Sequence, residues 1–335
     1  MFKDVTILGA GSWGMALAKV LQSNDCSVSL WEFNTSDYEI IKTQRCHPKK
    51  LPNIQLHESV QISNNLAEAV KDAELIVLAV PSQSLRVVLQ ELKKYDVSQT
   101  SFVNVAKGIE IGSLKRMSEL ISEELQISND KIATLSGPSH AEEVALDMPT
   151  AVVAASQSEQ FSEKLQQTFS TNTLRVYKSD DLIGVELGGS LKNIIAIGAG
   201  ISAGLKMGDN TMGALLTRGL AEIIRLGVSM GANTETFSGL SGIGDLITTC
   251  MSEHSRNRYV GEHIGKGENL NDIISSMSMV AEGVQTTKSG FELAKKHNVE
   301  MPITSEVYKV LFEDKSPETA IRDLMSRNLK TEVWE

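Results

Sequence analysis

Short apolar runs alternate with longer stretches of helical periodicity along the first half of the chain. The apolar runs predict strands at 5–9, 27–31, 75–80, 101–106, 131–136, 150–155 and 174–178. Most of them are apolar at successive positions, which is typical of strands that helices cover on both faces of a parallel sheet. The alternation therefore predicts an α/β fold with a doubly wound, mostly parallel sheet.

The pattern changes near residue 180, where strands give way to helices. Helical periodicity continues through 181–205, 213–230, 255–266, 282–297 and 303–313. A chain of 335 residues is long enough for two domains, each with its own core. We therefore predict an α/β domain at residues 1–180 and an all-α C-terminal domain at residues 181–335.

The composition is that of a soluble globular chain, with 41% hydrophobic and 22% charged residues. A net charge of −10 disfavours binding to nucleic acid or to anionic lipid, so an anionic ligand needs a local cluster of Lys and Arg. No uninterrupted apolar run reaches the roughly 18 to 20 residues of a membrane span, and we expect no integral membrane association.

The three cysteines, Cys26, Cys46 and Cys250, lie far apart without the spacing of a disulfide framework or a zinc site. This usage is expected in a reducing compartment, and we predict a cytoplasmic protein. The histidines are scattered without ligand spacing, so no metal site is predicted.

The first predicted strand leads into a glycine-rich turn and an amphipathic helix, in the sequence LGAGSWGMALAKVL. Gly9, Gly11 and Gly14 have GxGxxG spacing, in which the first glycine allows a tight turn and the second admits a pyrophosphate to the backbone. The third lets helix and strand pack closely, and the helix N-terminus attracts phosphates. The alternative is a chance glycine turn, but the strand-turn-helix context favours a Rossmann-like, dinucleotide-binding domain at residues 1–180.

Glu32 ends the second predicted strand, 18 residues after Gly14. A carboxylate at this place binds the ribose hydroxyls of NAD and repels the 2′-phosphate of NADP. Two alternatives stay open: Glu32 is a solvated strand-end carboxylate, or Lys49 and Lys50 hold a 2′-phosphate. The residues therefore do not decide between NADH and NADPH.

Lys192 is the only ionisable side chain between Leu187 and Leu205, in an apolar run rich in small residues. Desolvation disfavours the charged form and lowers the pKa of a lysine toward working pH. Lys192 is therefore a candidate general acid. The alternative is a lysine whose stem covers apolar surface while its ammonium group reaches water.

Four later stretches carry a resemblance to a known family: NVAKGIE (104–110), LSGPSHAEEVALDMPTAVV (135–153), ELGGSLKNIIAIGAGISAGLKMGDNTMGALLTRGLAEI (186–223) and GIGDLITTCMSEHSRNRYVG (242–261). Together with VAEGVQT near residue 280, they resemble the bacterial NAD(P)-dependent glycerol-3-phosphate dehydrogenases over essentially the whole chain. The resemblance implies the reversible reduction of dihydroxyacetone phosphate to sn-glycerol 3-phosphate by NAD(P)H, which supplies glycerophospholipid synthesis. We also expect a homodimer.

The resemblance implies the residues of the site as well. The family's general acid/base falls on Lys192, and its second active-site lysine on Lys107. Besides these two lysines, the implied substrate contacts are Gly137, Ser139, Asp245, Ser255, Arg256 and Asn257. Asn193, beside the catalytic lysine, is a further candidate. The implied cofactor contacts are Ser12, Trp13, Lys107, Ala141, Arg256, Val280 and Glu282, to which the glycine turn and the end of the second strand add Gly9, Gly11, Gly14, Glu32 and Phe33.

The sequence departs from the family pattern in three places. Glu32 and Phe33 stand where an arginine is usual, so we expect NADH to perform better relative to NADPH than is usual for the family. His140 follows Ser139 where SGPSF is typical, either as a tolerated replacement or as a local change near the nicotinamide. Lys50 replaces the family's common tyrosine.

Local chemistry gives the other implied residues specific roles. Lys107 follows a buried strand, at the edge where parallel sheets bind ligands, although a surface lysine is the alternative. Ser255 has the position of an N-cap, so its hydroxyl, the helix N-terminus and Arg256 could together hold a phosphate. Asp245 orients a lysine, binds a substrate hydroxyl, or is only a loop carboxylate.

Two other kinds of protein share parts of this pattern. One is another dehydrogenase with a Rossmann domain and a helical domain, of the β-hydroxyacid, ketopantoate or sugar-nucleotide type; the last needs a nucleophilic cysteine that has no convincing candidate here. The other is a non-catalytic NAD-binding sensor. A sensor needs neither a proton donor nor a phosphate site, so Lys192, Lys107 and the SRN motif weigh against it.

Overall fold

The strands form one sheet in the computed structural model, which describes residues 1–329 and 331–332. They are β1 (Asp4–Leu8), β2 (Ser27–Trp31), β3 (Gln61–Ser63), β4 (Leu75–Leu78), β5 (Ser101–Asn104), β6 (Ile132–Ser136), β7 (Thr150–Ser156) and β8 (Leu174–Ser179). Their order is β3-β2-β1-β4-β5-β6-β7-β8, and every neighbouring pair is parallel except β6 and β7. The doubly wound, mostly parallel sheet is confirmed. Sequence analysis missed β3, a three-residue edge strand with two polar residues.

Helices cover the sheet and make up the second half of the described chain. In the first half they are α1 (Ser12–Ser23), α2 (Thr35–Gln44), α3 (Leu66–Val70), α4 (Leu85–Leu92), α5 (Met117–Leu125), α6 (Ala141–Ala145) and α7 (Glu159–Phe169). In the second half they are α8 (Leu182–Gly204), α9 (Asp209–Ser229), α10 (Asp245–Met251), α11 (Arg256–Gly265), α12 (Leu270–Ser276), α13 (Glu282–Lys296), α14 (Pro302–Phe312) and α15 (Pro317–Met325). The predicted helical stretches correspond to α8, α9, α11, α13 and α14. The proposed boundary at 180/181 falls between β8 and α8 and stays a prediction.

Both faces of the sheet are buried, as the continuous apolar runs predict. Neighbouring residues of β1 point into different cores: Ile7 belongs to the apolar cluster on one face and Leu8 to the cluster on the other. A third apolar cluster is centred on α8 and fills the interior of the helical half.

Helix α8 corrects one expectation about membranes. By length and hydropathy it could cross a bilayer, although no such run was expected from the sequence. Of its apolar window, 89% is buried inside the protein, where α8 packs against α9, α10, α11 and α13. A helix that is apolar all round is equally what the core of a large helical domain requires, and α8 is such a core helix.

The sheet order places the predicted site residues at one edge. Connections leave β1 in one direction and β4 in the other, and ligands of doubly wound sheets bind at such a switch point, beyond the carboxyl ends of the strands. Gly9 follows β1, Glu32 follows β2, Lys107 comes shortly after β5, and Gly137 follows β6. Residues distant in sequence therefore meet at this edge.

Candidate active site

Two lysines converge on one buried carboxylate between the sheet and α8. The Lys192 ammonium donates to Asp245 Oδ1 at 2.5 Å, and the Lys107 ammonium donates to Asp245 Oδ2 at 2.8 Å. Lys192 is 4% exposed and Asp245 only 1%. Lys192 is therefore not a lysine that reaches out to water, Lys107 is not a free surface lysine, and Asp245 begins α10 rather than lying in a loop.

Lys192, Asp245 and Lys107 are here called the triad. Their charges affect the protonation of Lys192 and of Asp245. Burial, together with the positive charge of Lys107, lowers the pKa of Lys192 to about 8, although the Asp245 carboxylate opposes the shift. Burial raises the pKa of Asp245, but Lys107 and Lys192 outweigh it and hold that pKa below its ordinary value. Lys192 is thus poised to exchange a proton near neutral pH, with a permanently charged carboxylate beside it.

Thr249 completes the surroundings of the Lys192 ammonium, and sequence analysis missed it. Its hydroxyl accepts a hydrogen bond from the ammonium and donates to Asp245 Oδ1 at 3.2 Å. Thr249 lies four residues after Asp245 on α10, so the two side chains share one helix face. The four-residue spacing would have indicated that Thr249 lies beside Asp245, had α10 been predicted as a helix.

The small residues before Lys192 serve close packing of its helix. Lys192 lies in the middle of α8. A Cβ on Gly188 would come within 2.6 Å of the Ser241 carbonyl oxygen, and one on Gly189 within 2.4 Å of Ser136 Oγ. The glycines thus let α8 approach the sheet and the turn before α10, which carries the ammonium group to Asp245.

Lys107 also connects the triad to the predicted substrate residues after β6. Its ammonium donates to the Gly137 carbonyl at 2.9 Å and lies 3.5 Å from Ser139 Oγ. Gly137 has φ +140°, and a Cβ there would meet the Val152 backbone at 3.0 Å, so the turn requires glycine.

A chain of amides links the remaining predicted substrate contacts. Asn193 donates to the Lys107 carbonyl at 3.3 Å, and Asn257 donates to Asn193 Oδ1 at 2.9 Å. The backbone N–H of Gly283 donates to Asn257 Oδ1 at 2.8 Å. Asn193 and Asn257 are both buried, so this chain fixes α8, α11 and α13 relative to the lysines.

Ser255 and Arg256 lie at the N-terminus of α11. Ser255 Oγ accepts a hydrogen bond from the Arg258 N–H at 3.2 Å, which confirms the predicted N-cap. Arg256 has an accessible side chain, and its Nη1 donates to the Val280 carbonyl at 2.8 Å. Val280 itself is 49% exposed. An arginine beside a helix N-terminus forms a local positive site on an acidic protein.

The glycine-rich turn has the shape that a dinucleotide needs. Gly9 has φ +113°, and a Cβ on Gly14 would lie 2.0 Å from the Gly9 carbonyl oxygen, so both positions require glycine. A Cβ on Gly11 would meet nothing within 4 Å, which leaves space above the backbone where the pyrophosphate of a dinucleotide would lie. Ser12 begins α1, and Trp13 packs partly buried against the sheet core. These residues fit NAD or NADP.

Glu282 and Ala141 are two further predicted cofactor contacts. The Glu282 carboxylate accepts hydrogen bonds from Ser82 N–H at 2.8 Å and Ser82 Oγ at 2.5 Å, joining α13 to the loop after β4. Burial raises the pKa of Glu282, although Ser82 and Arg256 oppose the shift. Ala141 is buried at the start of α6. Ser82 is a second residue that sequence analysis missed.

Glu32 is not the solvated carboxylate that one alternative predicted. It is 8% exposed, accepts a hydrogen bond from the Asn34 N–H at 2.9 Å, and lies 3.4 Å from the Lys50 ammonium. Phe33 is 80% exposed, and its ring contacts Trp31. The carboxylate therefore lies fixed at the end of β2, while Phe33 lies away from the lysine triad.

His140 faces the triad with an unpaired nitrogen. Its Nε2 is buried without a hydrogen-bond partner among the described residues, and its ring lies 5.6 Å from that of His254. Burial, with the positive charges of Lys192 and Lys107, lowers the pKa of His140 to about 4. A neutral imidazole thus lies beside the two lysines.

Comparisons with known proteins agree with this geometry. Residues 4–162 match the family described as NAD-dependent glycerol-3-phosphate dehydrogenase N-terminus, and residues 181–322 match its C-terminus counterpart. The glycerol-3-phosphate dehydrogenase (NAD(P)+) of Chlorobium phaeobacteroides is 51% identical over 330 residues, which cover 98% of this chain and 99% of that protein. The enzyme of the same name from Prosthecochloris aestuarii is 50% identical over 98% of this chain and 99% of its own.

A solved structure extends the similarity to three dimensions. The crystal structure of glycerol-3-phosphate dehydrogenase from Coxiella burnetii matches with a TM-score of 0.93 and 39% identity, over 97% of this chain and 99% of that one. The two family models, the two relatives and the solved structure together cover nearly the whole chain. The chain therefore belongs to the family of NAD-dependent glycerol-3-phosphate dehydrogenases.

Proposed function

We propose that this protein reduces dihydroxyacetone phosphate to sn-glycerol 3-phosphate, and catalyses the reverse reaction, with NAD(P)H as hydride donor. The observation that carries the proposal is the triad of Lys192, Asp245 and Lys107, buried beside a glycine turn shaped for a dinucleotide. The bound dinucleotide supplies the hydride. The proton donor and the phosphate site come from the chain's own residues.

Lys192 is the proposed general acid. Reduction of a ketone turns the carbonyl oxygen into an alkoxide, which needs a proton as it forms. The Lys192 ammonium can hydrogen-bond that oxygen, stabilise its developing charge and transfer the proton. Asp245 and Thr249 hold the ammonium in place, and low exposure keeps competing water away. In the reverse direction the neutral amine accepts the proton of the alcohol.

The proposed phosphate site lies on the helical side of the cleft. Ser255, Arg256 and the N-terminus of α11 offer a hydroxyl, a guanidinium group and backbone N–H donors. Lys107, Gly137 and Ser139 approach the same cleft from the sheet. Since the protein carries a net charge of −10, these groups form the kind of local cluster that an anionic substrate needs.

The direct test of the reaction is optical. Addition of dihydroxyacetone phosphate to purified protein with NADH or NADPH should lower the absorbance of the reduced nicotinamide, and chromatography should identify glycerol 3-phosphate as the product. Turnover of ketopantoate or a β-hydroxyacid, without turnover of dihydroxyacetone phosphate, would overturn the proposal.

The pH dependence follows from Lys192. Reduction needs its protonated form, and its pKa is about 8, so kcat/KM for reduction should be flat below that pH and fall by about tenfold per unit above it. Oxidation of glycerol 3-phosphate needs the neutral amine, so its profile should rise through the same pH. Initial rates in both directions between pH 6 and 10 check this. A rate of reduction that increases across pH 8 would contradict the assignment.

We infer a cytoplasmic homodimer that supplies glycerophospholipid synthesis. The free cysteines of the described residues support a reducing compartment. Ile247 and Met251, one turn apart on α10, are 45% and 60% exposed, and a second copy of the chain would remove such apolar surface from water. Sedimentation velocity should then give about twice the chain mass of 36.4 kDa; a single species at the chain mass would contradict the dimer.

A further inference from the structure

Four polar side chains form a connected cluster at the carboxyl end of β2, here called the β2-end cluster: Glu32, Asp37, His47 and Lys50. The Lys50 ammonium lies 2.7 Å from Asp37 Oδ2 and 3.4 Å from Glu32 Oε2. The His47 Nε2 lies 3.1 Å from Asp37 Oδ1. The four side chains are between 4% and 26% exposed, so water screens their charges only in part.

The cluster borders the proposed dinucleotide cleft. Gly9 N–H donates to the Trp31 carbonyl at 3.0 Å, which brings the end of β2 against the glycine turn. The Ser12 hydroxyl, at the start of α1, donates to the Lys50 carbonyl. In doubly wound folds the adenosine ribose lies at the end of this strand, so the cluster lies where the ribose 2′ position would be, which is phosphorylated in NADP and a free hydroxyl in NAD.

His47 holds Asp37 in place through its hydrogen bonds. The backbone N–H groups of Lys49 and Lys50 both donate to His47 Nδ1, at 3.2 and 3.1 Å. The other ring nitrogen, Nε2, lies 3.1 Å from Asp37 Oδ1. His47 therefore anchors the Asp37 carboxylate beside Lys50.

The Lys50 ammonium is shared between the carboxylates of Asp37 and Glu32, at 2.7 and 3.4 Å. Burial raises the pKa of Asp37, but its bonds to Lys50 and His47 outweigh this and lower that pKa below its ordinary value. A 2′-phosphate would bring about two further negative charges to the cluster, and Lys50 could reach it only by leaving Asp37.

We propose that Asp37 is a specificity-determining residue, which holds Lys50 away from the 2′-phosphate and makes the site selective for NADH over NADPH. Glu32 repels the phosphate directly. Asp37 acts indirectly, because it pairs with Lys50, the cation that could otherwise bind the phosphate. The inference rests on the proposed function only in that the cleft binds a dinucleotide.

The experiment measures the dissociation constants of NADH and NADPH by quenching of protein fluorescence, without substrate, at one ionic strength. The wild type should bind NADH more tightly than NADPH. Asp37→Asn keeps the shape and frees Lys50, so NADPH binding should tighten by about tenfold, the scale of one charge-assisted bond, with NADH binding changed less than about twofold. The gain should shrink at higher salt.

Three variants make the result specific. Glu39→Gln removes a carboxylate from the exposed side of the same helix and should leave both constants unchanged. Lys50→Gln alone should not tighten NADPH binding, because it leaves the carboxylates of Asp37 and Glu32 without their cation. Lys50→Gln combined with Asp37→Asn should lose the gain. Thermal unfolding of each variant confirms that it folds.

Several outcomes would overturn the inference. A wild type that prefers NADPH, a gain in NADPH binding that persists in the variant combining Lys50→Gln with Asp37→Asn, or an unchanged ratio of the two constants in a folded Asp37→Asn variant would each do so. These outcomes leave the proposed reaction standing. Failure of the wild type to bind either dinucleotide would instead overturn the proposed function together with this inference.

Discussion

Lys192→Ala should lower turnover of dihydroxyacetone phosphate by about two to four orders of magnitude while leaving cofactor binding nearly intact. The lost group is a proton donor that acts in the transition state, and general acid catalysis contributes on this scale. Steady-state kcat, with the dissociation constant of NADH measured separately, checks the prediction. Lys107 remains to pair with Asp245 in the variant, so the carboxylate is not left without a cation.

Lys192→Arg is the control that separates charge from proton transfer. Arginine keeps the positive charge next to Asp245 but does not release a proton at working pH, so this variant should also fail. Near-normal kcat in either variant would remove Lys192 from the role of general acid. A folded variant with an unchanged unfolding temperature excludes the simpler explanation that a buried ion pair was lost.

Arg256→Ala should weaken the use of dihydroxyacetone phosphate by about 1.5 to 3 kcal/mol in kcat/KM, the scale of a charge-assisted bond to a phosphate. The measurement that isolates the phosphate uses unphosphorylated dihydroxyacetone as a second substrate. If Arg256 binds the phosphate, the variant should lose far more activity on the phosphorylated substrate than on the other.

Arg258→Ala is the matched control for this prediction. Arg258 lies on the same helix, two residues further, where its guanidinium group pairs with Glu262 at 3.4 Å. Its removal should change the two substrates alike and only slightly. Equal losses on both substrates in Arg256→Ala would assign Arg256 to the cofactor or to the fold, where its bond to the Val280 carbonyl would be the relevant contact.

Sequence periodicity predicted much of the fold because the signals are local. A strand buried on both faces is apolar at successive positions, and the strand-turn-helix glycines report on backbone geometry within a few residues. Sequence analysis did not identify the edge strand β3 or the short helices α10 and α12, because so few residues carry too little periodicity. The missing α10 mattered most, since it concealed that Asp245 and Thr249 share a face.

The sequence by itself determined that Lys192 is isolated in an apolar helix, that a glycine turn for a dinucleotide follows the first strand, and that strands give way to helices near residue 180. Only the tertiary structure decided which charges surround each group. Lys107 and Asp245 are separated by 138 residues and Lys192 and Asp245 by 53, yet all three meet at the carboxyl edge of the sheet. The pairing of Lys50 with Asp37 could not be predicted from the sequence either. A protonation state depends on burial and on charges within a few ångströms, and both are properties of packed chain segments rather than of sequence spacing.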